Sequence, residues 1–317
     1  MDWRNQMIRQ YKGTDFDRII ALWNKALPEH SVDRRAFVKN VLLDMNMDPQ
    51  GFLVAEENGE IIGFVWAVVR RYPVDVGAPS DEAKAYINIL ALDEENPEKF
   101  NTGRALLAAA EEYICSKGKK LINVSGYSPN YVYPGLSVAR PDYIELFESM
   151  GYVKGSGHYS IGIDLLRFGE DKAIEELKRK RAEEGYTLSP LTDALVVDLM
   201  NYTFPGWTHR FRRLINETMD YDKVRLVLKD GAIIGCAVFG DPYSCDERFG
   251  PYGVSAEYRG LGLGKLLLYD TLMAMKRRGL RHAWAQSTPS DGAAFSIYEK
   301  MGFVRTDLFI TYRKELS

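Results

Sequence analysis

Residues Arg259-Gly-Leu-Gly-Leu-Gly-Lys265 place three glycines at alternate positions and run directly into the apolar stretch Leu266-Leu-Leu-Tyr-Asp-Thr-Leu-Met-Ala-Met275. Glycine lets the backbone turn successive N–H groups toward one point, and the helix start behind the turn adds unpaired donors and the positive end of a dipole. An anion belongs there, most simply a phosphate. Spacing argues against two common phosphate loops. The triphosphate loop needs Gly-x4-Gly-Lys-Ser/Thr, but Gly264-Lys265 is followed by Leu266, so no hydroxyl stands where magnesium would be held. The dinucleotide turn needs Gly-x-Gly-x-x-Gly, whereas Gly260, Gly262 and Gly264 are spaced by two throughout.

The pattern Val254-x4-Arg259-x-x-Gly262-x-Gly264 resembles the cofactor motif of the GNAT acetyltransferase superfamily. Downstream, Ala294-Phe-Ser-Ile-Tyr298-Glu-Lys-Met-Gly302-Phe303 resembles the same family's helix-then-strand segment ending in Tyr-x3-Gly-Phe. The resemblance implies an α/β (α+β) fold: a mixed, mostly antiparallel, twisted sheet flanked by helices, whose two central parallel strands splay to admit acetyl-coenzyme A. It implies a cofactor site in which the Val254 main chain pairs with the pantetheine arm. Arg259, Gly260, Leu261, Gly262, Leu263, Gly264 and Lys265 would then hold the pyrophosphate, chiefly through backbone amides. Asp291 stands where many members carry an asparagine that contacts the cofactor; it also reads as a helix cap.

The resemblance further implies that Tyr298 donates a hydrogen bond or proton to the departing thiolate; outside that motif, a tyrosine on an amphipathic helix reads as packing. The family's frequent general base is a glutamate on the strand before the loop. Here Arg248-Phe-Gly-Pro-Tyr-Gly-Val254 holds no carboxylate, which leaves Glu247 and Asp246 as candidates beside a water chain ending on Tyr252. His209 and His282 read as surface or packing histidines. The acceptor pocket is expected to draw on Asn201-Tyr-Thr-Phe-Pro-Gly-Trp-Thr-His-Arg210, whose aromatics read either as pocket lining or as core. The expected activity is acetyl transfer to a primary amine of a small molecule or peptide by direct attack, with a protein acetyltransferase or a non-catalytic acetyl-coenzyme A sensor or assembly module as alternatives.

The chain also repeats itself. Thr14-Asp15 before Phe-Asp-Arg-Ile-Ile-Ala-Leu-Trp is echoed by Thr192-Asp193 before Ala-Leu-Val-Val-Asp-Leu-Met, each reading as an N-capped amphipathic helix. Apolar runs around Asn58-Gly59 and around Asp230-Gly231 read as matched hairpins, and Leu146-Phe-Glu-Ser-Met-Gly-Tyr-Val153 matches Ile297-Tyr-Glu-Lys-Met-Gly-Phe-Val304. Two tandem domains follow: 1–168 as a degenerate copy, 169–185 as an exposed helical linker, and 186–317 carrying the acetyl-coenzyme A site. The organisation is similar to that of mycothiol synthase-like tandem members of the family. The first copy lacks the loop, since aligning Gly103 with Gly264 puts Asn101 at Gly262 and Glu98 at Arg259, with Asp93, Glu94 and Glu95 opposing a phosphate. Ser125–Leu136 reads as a long Pro- and Tyr-rich loop, either a binding element or a surface excursion.

Composition narrows the partners. At 317 residues and net charge −3, the chain has core enough for two domains and no basic surplus for general nucleic-acid binding. No stretch approaches the length of a membrane span, and Met1-Asp-Trp-Arg-Asn-Gln lacks a charged lead into an apolar run, so a cytoplasmic protein is expected. Cys115, Cys236 and Cys245 have neither metal-ligand spacing nor a disulfide pattern, and no metal is expected.

Overall fold

The computed structural model describes residues 6–72, 84–124, 126–128, 130, 132, 134–204, 206–240, 246–289 and 293–316. In chain order the elements are β1 (Gln6–Gln10), α1 (Phe16–Ala26), α2 (Arg34–Phe37), β2 (Phe52–Glu57), β3 (Glu60–Val69), β4 (Lys84–Leu92), α3 (Lys99–Ser116), β5 (Leu121–Val124), β6 (Leu136–Ser137), α4 (Pro141–Ser149) and β7 (Val153–Asp164). They continue with α5 (Lys172–Glu183), β8 (Tyr186–Pro190), α6 (Val196–Tyr202), α7 (Thr208–Thr218), β9 (Val224–Lys229), β10 (Ala232–Phe239), β11 (Phe249–Val254), α8 (Leu263–Arg277), β12 (His282–Pro289), α9 (Ala293–Met301) and β13 (Val304–Glu315).

Two compact units result, and their bounds depart from the linear division at 168 and 186. The first holds Met1–Val74, Pro79–His158 and Asp307–Ser317; the second holds Asp75–Ala78 and Tyr159–Thr306. The last strand of the sequence therefore completes the first unit, where Tyr312–Glu315 pair antiparallel with Val124–Leu121. The linker helix α5 belongs to the second unit. It is capped by Asp171, whose carboxylate accepts from the N–H groups of Ala173 and Ile174 at 2.9 and 3.2 Å, and ends before Gly185 at φ +83°.

In the first unit, β1-β2-β3-β4 pair antiparallel and β4 runs parallel to β5 over Lys84–Ile87. Alternation explains the long apolar runs of β2 and β3. Phe52, Val54, Phe64, Trp66 and Val68 face α1 and α2, while Leu53, Ala55, Val65, Ala67 and Val69 face α3, so both sheet faces are buried. In the second unit, β8-β9-β10-β11 form an antiparallel sheet packed under α8.

The duplication extends to irregularities. Both hairpin turns put both central residues at positive φ, 52° and 82° at Asn58-Gly59 and 49° and 87° at Asp230-Gly231, as a type I′ turn requires. Each hairpin carries a register shift at the same place, between Ala55 and Glu56 and between Ile233 and Gly235. A second shift recurs between the next two strands, where Asn88 bulges from β4 and Gly250-Pro251 from β11.

The helix starts differ from expectation. Asp15 and Thr192 each sit at a short 3₁₀ turn and offer no side-chain cap to the helix that follows. The Asp15 carboxylate instead accepts from Lys12 N–H at 2.8 Å and is gripped by Arg9 at 2.7 and 2.9 Å, which holds it below the usual carboxylate range against the opposing cost of burial.

Candidate active site

In the second unit, β11 meets β12 at a single described parallel bridge, Arg248 to Trp284, with Trp284 N–H donating to Glu247 O at 3.0 Å. Beyond it β11 continues to Val254 as the edge of its sheet, which gives the two parallel strands the splay expected of the fold. The chain then turns through Ala256–Tyr258 into the glycine loop, and α8 opens with Gly262 as its N-cap at φ +77°. The first helical bond is Leu266 N–H to Gly262 O, at 3.1 Å, so the N–H groups of Leu263, Gly264 and Lys265 have no partner within the helix. Their donors and the helix dipole converge on one end of a cleft of about 880 Å³.

That cleft is lined by Val254, Tyr258, Arg259, Gly260, Gly262, Leu263, Gly264 and Lys265 on the loop side, by Ile297 and Lys300 of α9, and by Phe204, Trp207, Tyr252 and Gly253 toward the other end. The loop's sequence-assigned residues thus come together around it, except Leu261. Lys300 escaped the sequence reading, although its i+3 spacing from Ile297 puts both on one face of α9. Arg259, Lys265 and Lys300 are the cations of the lining, and no carboxylate is among its described residues. Positive side chains and free amides at one end suit a polyanion. The opposite end is aromatic: Phe204 and Trp207 stack edge-on at 4.7 Å, and a Cβ at Gly253 would come within 3.0 and 3.2 Å of their rings. Tyr202 and Ser255 share a hydroxyl contact of 3.0 Å, which ties the end of α6 to the strand exit.

Tyr298 lies differently from Tyr252. It is 7% exposed and packed among Phe249, Phe303 and Tyr252, and the ring facing the cleft is that of Tyr252. The two ring centroids are 5.6 Å apart. Burial, then the neighbouring Tyr252, pushes the Tyr298 phenol far above its usual range; burial raises Tyr252 to about 12, against the opposing effect of the neighbouring Tyr298.

The remaining assigned residues stand apart. Glu247 is half-buried outside the cleft lining, and Asp246 is exposed and paired with Lys223 at 2.6 Å. Neither His209 nor His282 is in the lining, and the His282 ring lies against Gly162 of β7. Asp291, Pro205 and Cys245 fall outside the described residues. Among those described, no group of three or more His, Cys, Asp or Glu gathers as a metal site, and no helix is long and apolar enough to cross a membrane.

The corresponding region of the first unit is filled. Tyr143 of α4 accepts from Leu92 N–H, the counterpart of Val254 N–H, at 3.0 Å, and Leu146 lies so close to α3 that a Cβ at Gly103 would be 2.5 Å away. At Gly264 the equivalent contact is Ile297 Cδ1 at 3.8 Å. Only about 10 Å³ remains beside Leu92, Tyr143 and Leu146. The acidic turn is consumed by ion pairs: Asp93 with Lys25, and Glu94 with Lys99 and Arg140. Tyr143→Phe would strand the buried Leu92 N–H. It should cost about 1–3 kcal/mol in urea unfolding, and an unchanged midpoint would show that the bond contributes nothing.

The acetyltransferase (GNAT) family description matches residues 192–303. This segment of the chain is similar to that family. It contains both the cleft's glycine loop and its aromatic end. The chain is 26% identical over 154 residues to a mycothiol acetyltransferase of Acidothermus cellulolyticus, a match covering 46% of this chain and 44% of that protein. It thus spans less than half the length of the curated relatives it matches. The fold is shared over nearly the whole chain with two solved structures. A GCN5-related glucosamine N-acetyltransferase region of a fungal multi-domain β-N-acetylglucosaminidase has TM-score 0.80 and 17% identity, over 98% of this chain and 38% of that one. A tandem GNAT protein from the clavulanic acid biosynthesis pathway has TM-score 0.67 and 16% identity, over 98% of each chain. The duplicated architecture is therefore a tandem GNAT fold.

Proposed function

We propose that the chain moves an acetyl group from acetyl-coenzyme A to a primary amine of a small molecule or peptide, by direct attack in a ternary complex. The observation that carries this reading is the single cleft with a polyanion end and an aromatic end. The loop amides with Arg259, Lys265 and Lys300 would hold the phosphates, and the main chain at Val254 would lie along the pantetheine arm. The cleft's volume of about 880 Å³ lies within the usual range for such ligands. Phe204, Trp207 and Tyr252 would surround the reacting carbonyl and acceptor.

Attack of the amine nitrogen on the acetyl carbon forms the C–N bond and breaks the C–S bond, leaving the electron pair on sulfur. Tyr252 reaches the cleft and would donate to that sulfur, while Tyr298 packs edge-on against its ring from behind. The amine's proton leaves to water, since neither carboxylate nor imidazole is among the described lining. Cys236 is no candidate for a covalent intermediate, because burial pushes its thiol up to about 12. The filled groove beside Leu92 supports a first unit that binds no coenzyme A, so calorimetry should find one equivalent per chain.

Tyr252→Phe should lower kcat about a hundredfold with little change in acetyl-coenzyme A affinity. Tyr298→Phe should cost less, because it acts through Tyr252. Both phenols act protonated, and a pKa raised from 10 to about 12 extends the protonated range upward, so the Tyr252 limb should begin only above about pH 11. Coenzyme A release across an amine panel tests the reading. Full activity in both variants, or a loss of rate near pH 9 that Tyr252→Phe removes, would exclude this proton donor.

A further inference from the structure

We infer that Arg181, on α5, is a positioning residue for the anion-binding loop, an inference that rests on the acetyl-coenzyme A reading above. Of the seven residues Arg259–Lys265, Leu261 is the one not lining the cleft. Its carbonyl points the other way, accepting from Arg181 Nε at 2.8 Å. A trans peptide holds its C=O and the next N–H in one plane, pointing in opposite directions. Drawing the Leu261 carbonyl toward α5 therefore turns the Gly262 N–H away from α5 and into the cleft that Gly262 lines. This peptide joins Leu261 to Gly262, and the glycine leaves the φ on its nitrogen side free to turn. The opposite rotation would present a carbonyl oxygen to the phosphate.

The clamp is itself held. Arg181 is 15% exposed in its side chain, and its Nη1 pairs with Glu184 at 2.5 Å. One turn earlier on the same helix face, Leu177 closes the loop's back, with its Cδ2 2.9 Å from where a Gly262 Cβ would stand. Arg181 touches no ligand in this arrangement. Its effect passes through one peptide plane, and the guanidinium polarises that peptide in the direction that strengthens the Gly262 donor.

The full-length protein tests this with two donors, acetyl-coenzyme A and S-acetyl-pantetheine, which lacks the pyrophosphate. Arg181→Ala should raise KM for acetyl-coenzyme A about tenfold while kcat stays within about twofold and KM for S-acetyl-pantetheine is unchanged. Arg181→Lys should recover only part of the loss, since an ammonium lacks the fixed guanidinium fork. A merely structural role would weaken both donors alike, and that result, or no change with either, overturns the inference. If wild-type protein binds no coenzyme A in calorimetry, the functional reading falls and takes this one with it. If wild type and Arg181→Ala bind it equally, the clamp alone is wrong.

Discussion

Gly264→Asp is expected to reduce acetyl-coenzyme A turnover by about a thousandfold while leaving the fold intact. A new carboxylate roughly 4 Å from a phosphate costs about 4 kcal/mol at the effective dielectric of a protein surface, which is close to three powers of ten in affinity. Room for the side chain exists, because the nearest neighbour to a Gly264 Cβ is Ile297 Cδ1 at 3.8 Å and the residue lies within α8 at an ordinary helical φ. Gly264→Ala is the matched control: it adds a methyl group without charge and favours the helix by up to about 1 kcal/mol. Gly262→Asp is the weaker experiment, since φ +77° and the approach to Leu177 at 2.9 Å would disturb the backbone as well. Turnover and melting should be measured together. A Gly264→Asp protein that melts like wild type and still releases coenzyme A at the wild-type rate would place the cofactor elsewhere.

The second large effect concerns stability. Arg225 of β9 and Asp270 of α8 form an ion pair at 2.7 Å with side chains 7% and 11% exposed, and the second partner of Arg225, Asp222 at 2.9 Å, is half in solvent. Asp270→Ala would leave a buried guanidinium short of its main counter-charge, and such truncations cost about 3–5 kcal/mol. That is a large share of the total stability of a domain, about 5–15 kcal/mol. The double change Arg225→Met with Asp270→Leu should restore most of it, because removing both charges also removes their desolvation cost. Urea unfolding of the single and double variants decides the matter; an Asp270→Ala protein within about 1 kcal/mol of wild type would show the pair to be open to water. The pair joins α8 to the sheet beneath it, so the loop's anchorage is tested at the same time.

The sequence alone determined what rests on local chemistry. Asn58-Gly59 and Asp230-Gly231 specified tight turns because few residues tolerate positive φ, and the apolar runs around them specified the paired strands. The shape of the loop Arg259–Lys265 was legible for the same reason: its conformation and free amides follow from glycine spacing and a helix start. What only the tertiary structure decided rests on which distant side chains meet. Tyr298 carried the motif, yet packing turned it inward and put Tyr252 in the cleft. Loss of the loop marked the first half as degenerate, but the closing of its groove needed Tyr143 and Leu146 to arrive from α4. The clamp of Arg181 on Leu261 joins residues 80 positions apart, and the final strand completes the first unit across an even longer span. Such pairings are set by the volume and polarity of neighbours that periodicity does not reveal, so they become legible only once the chain has folded.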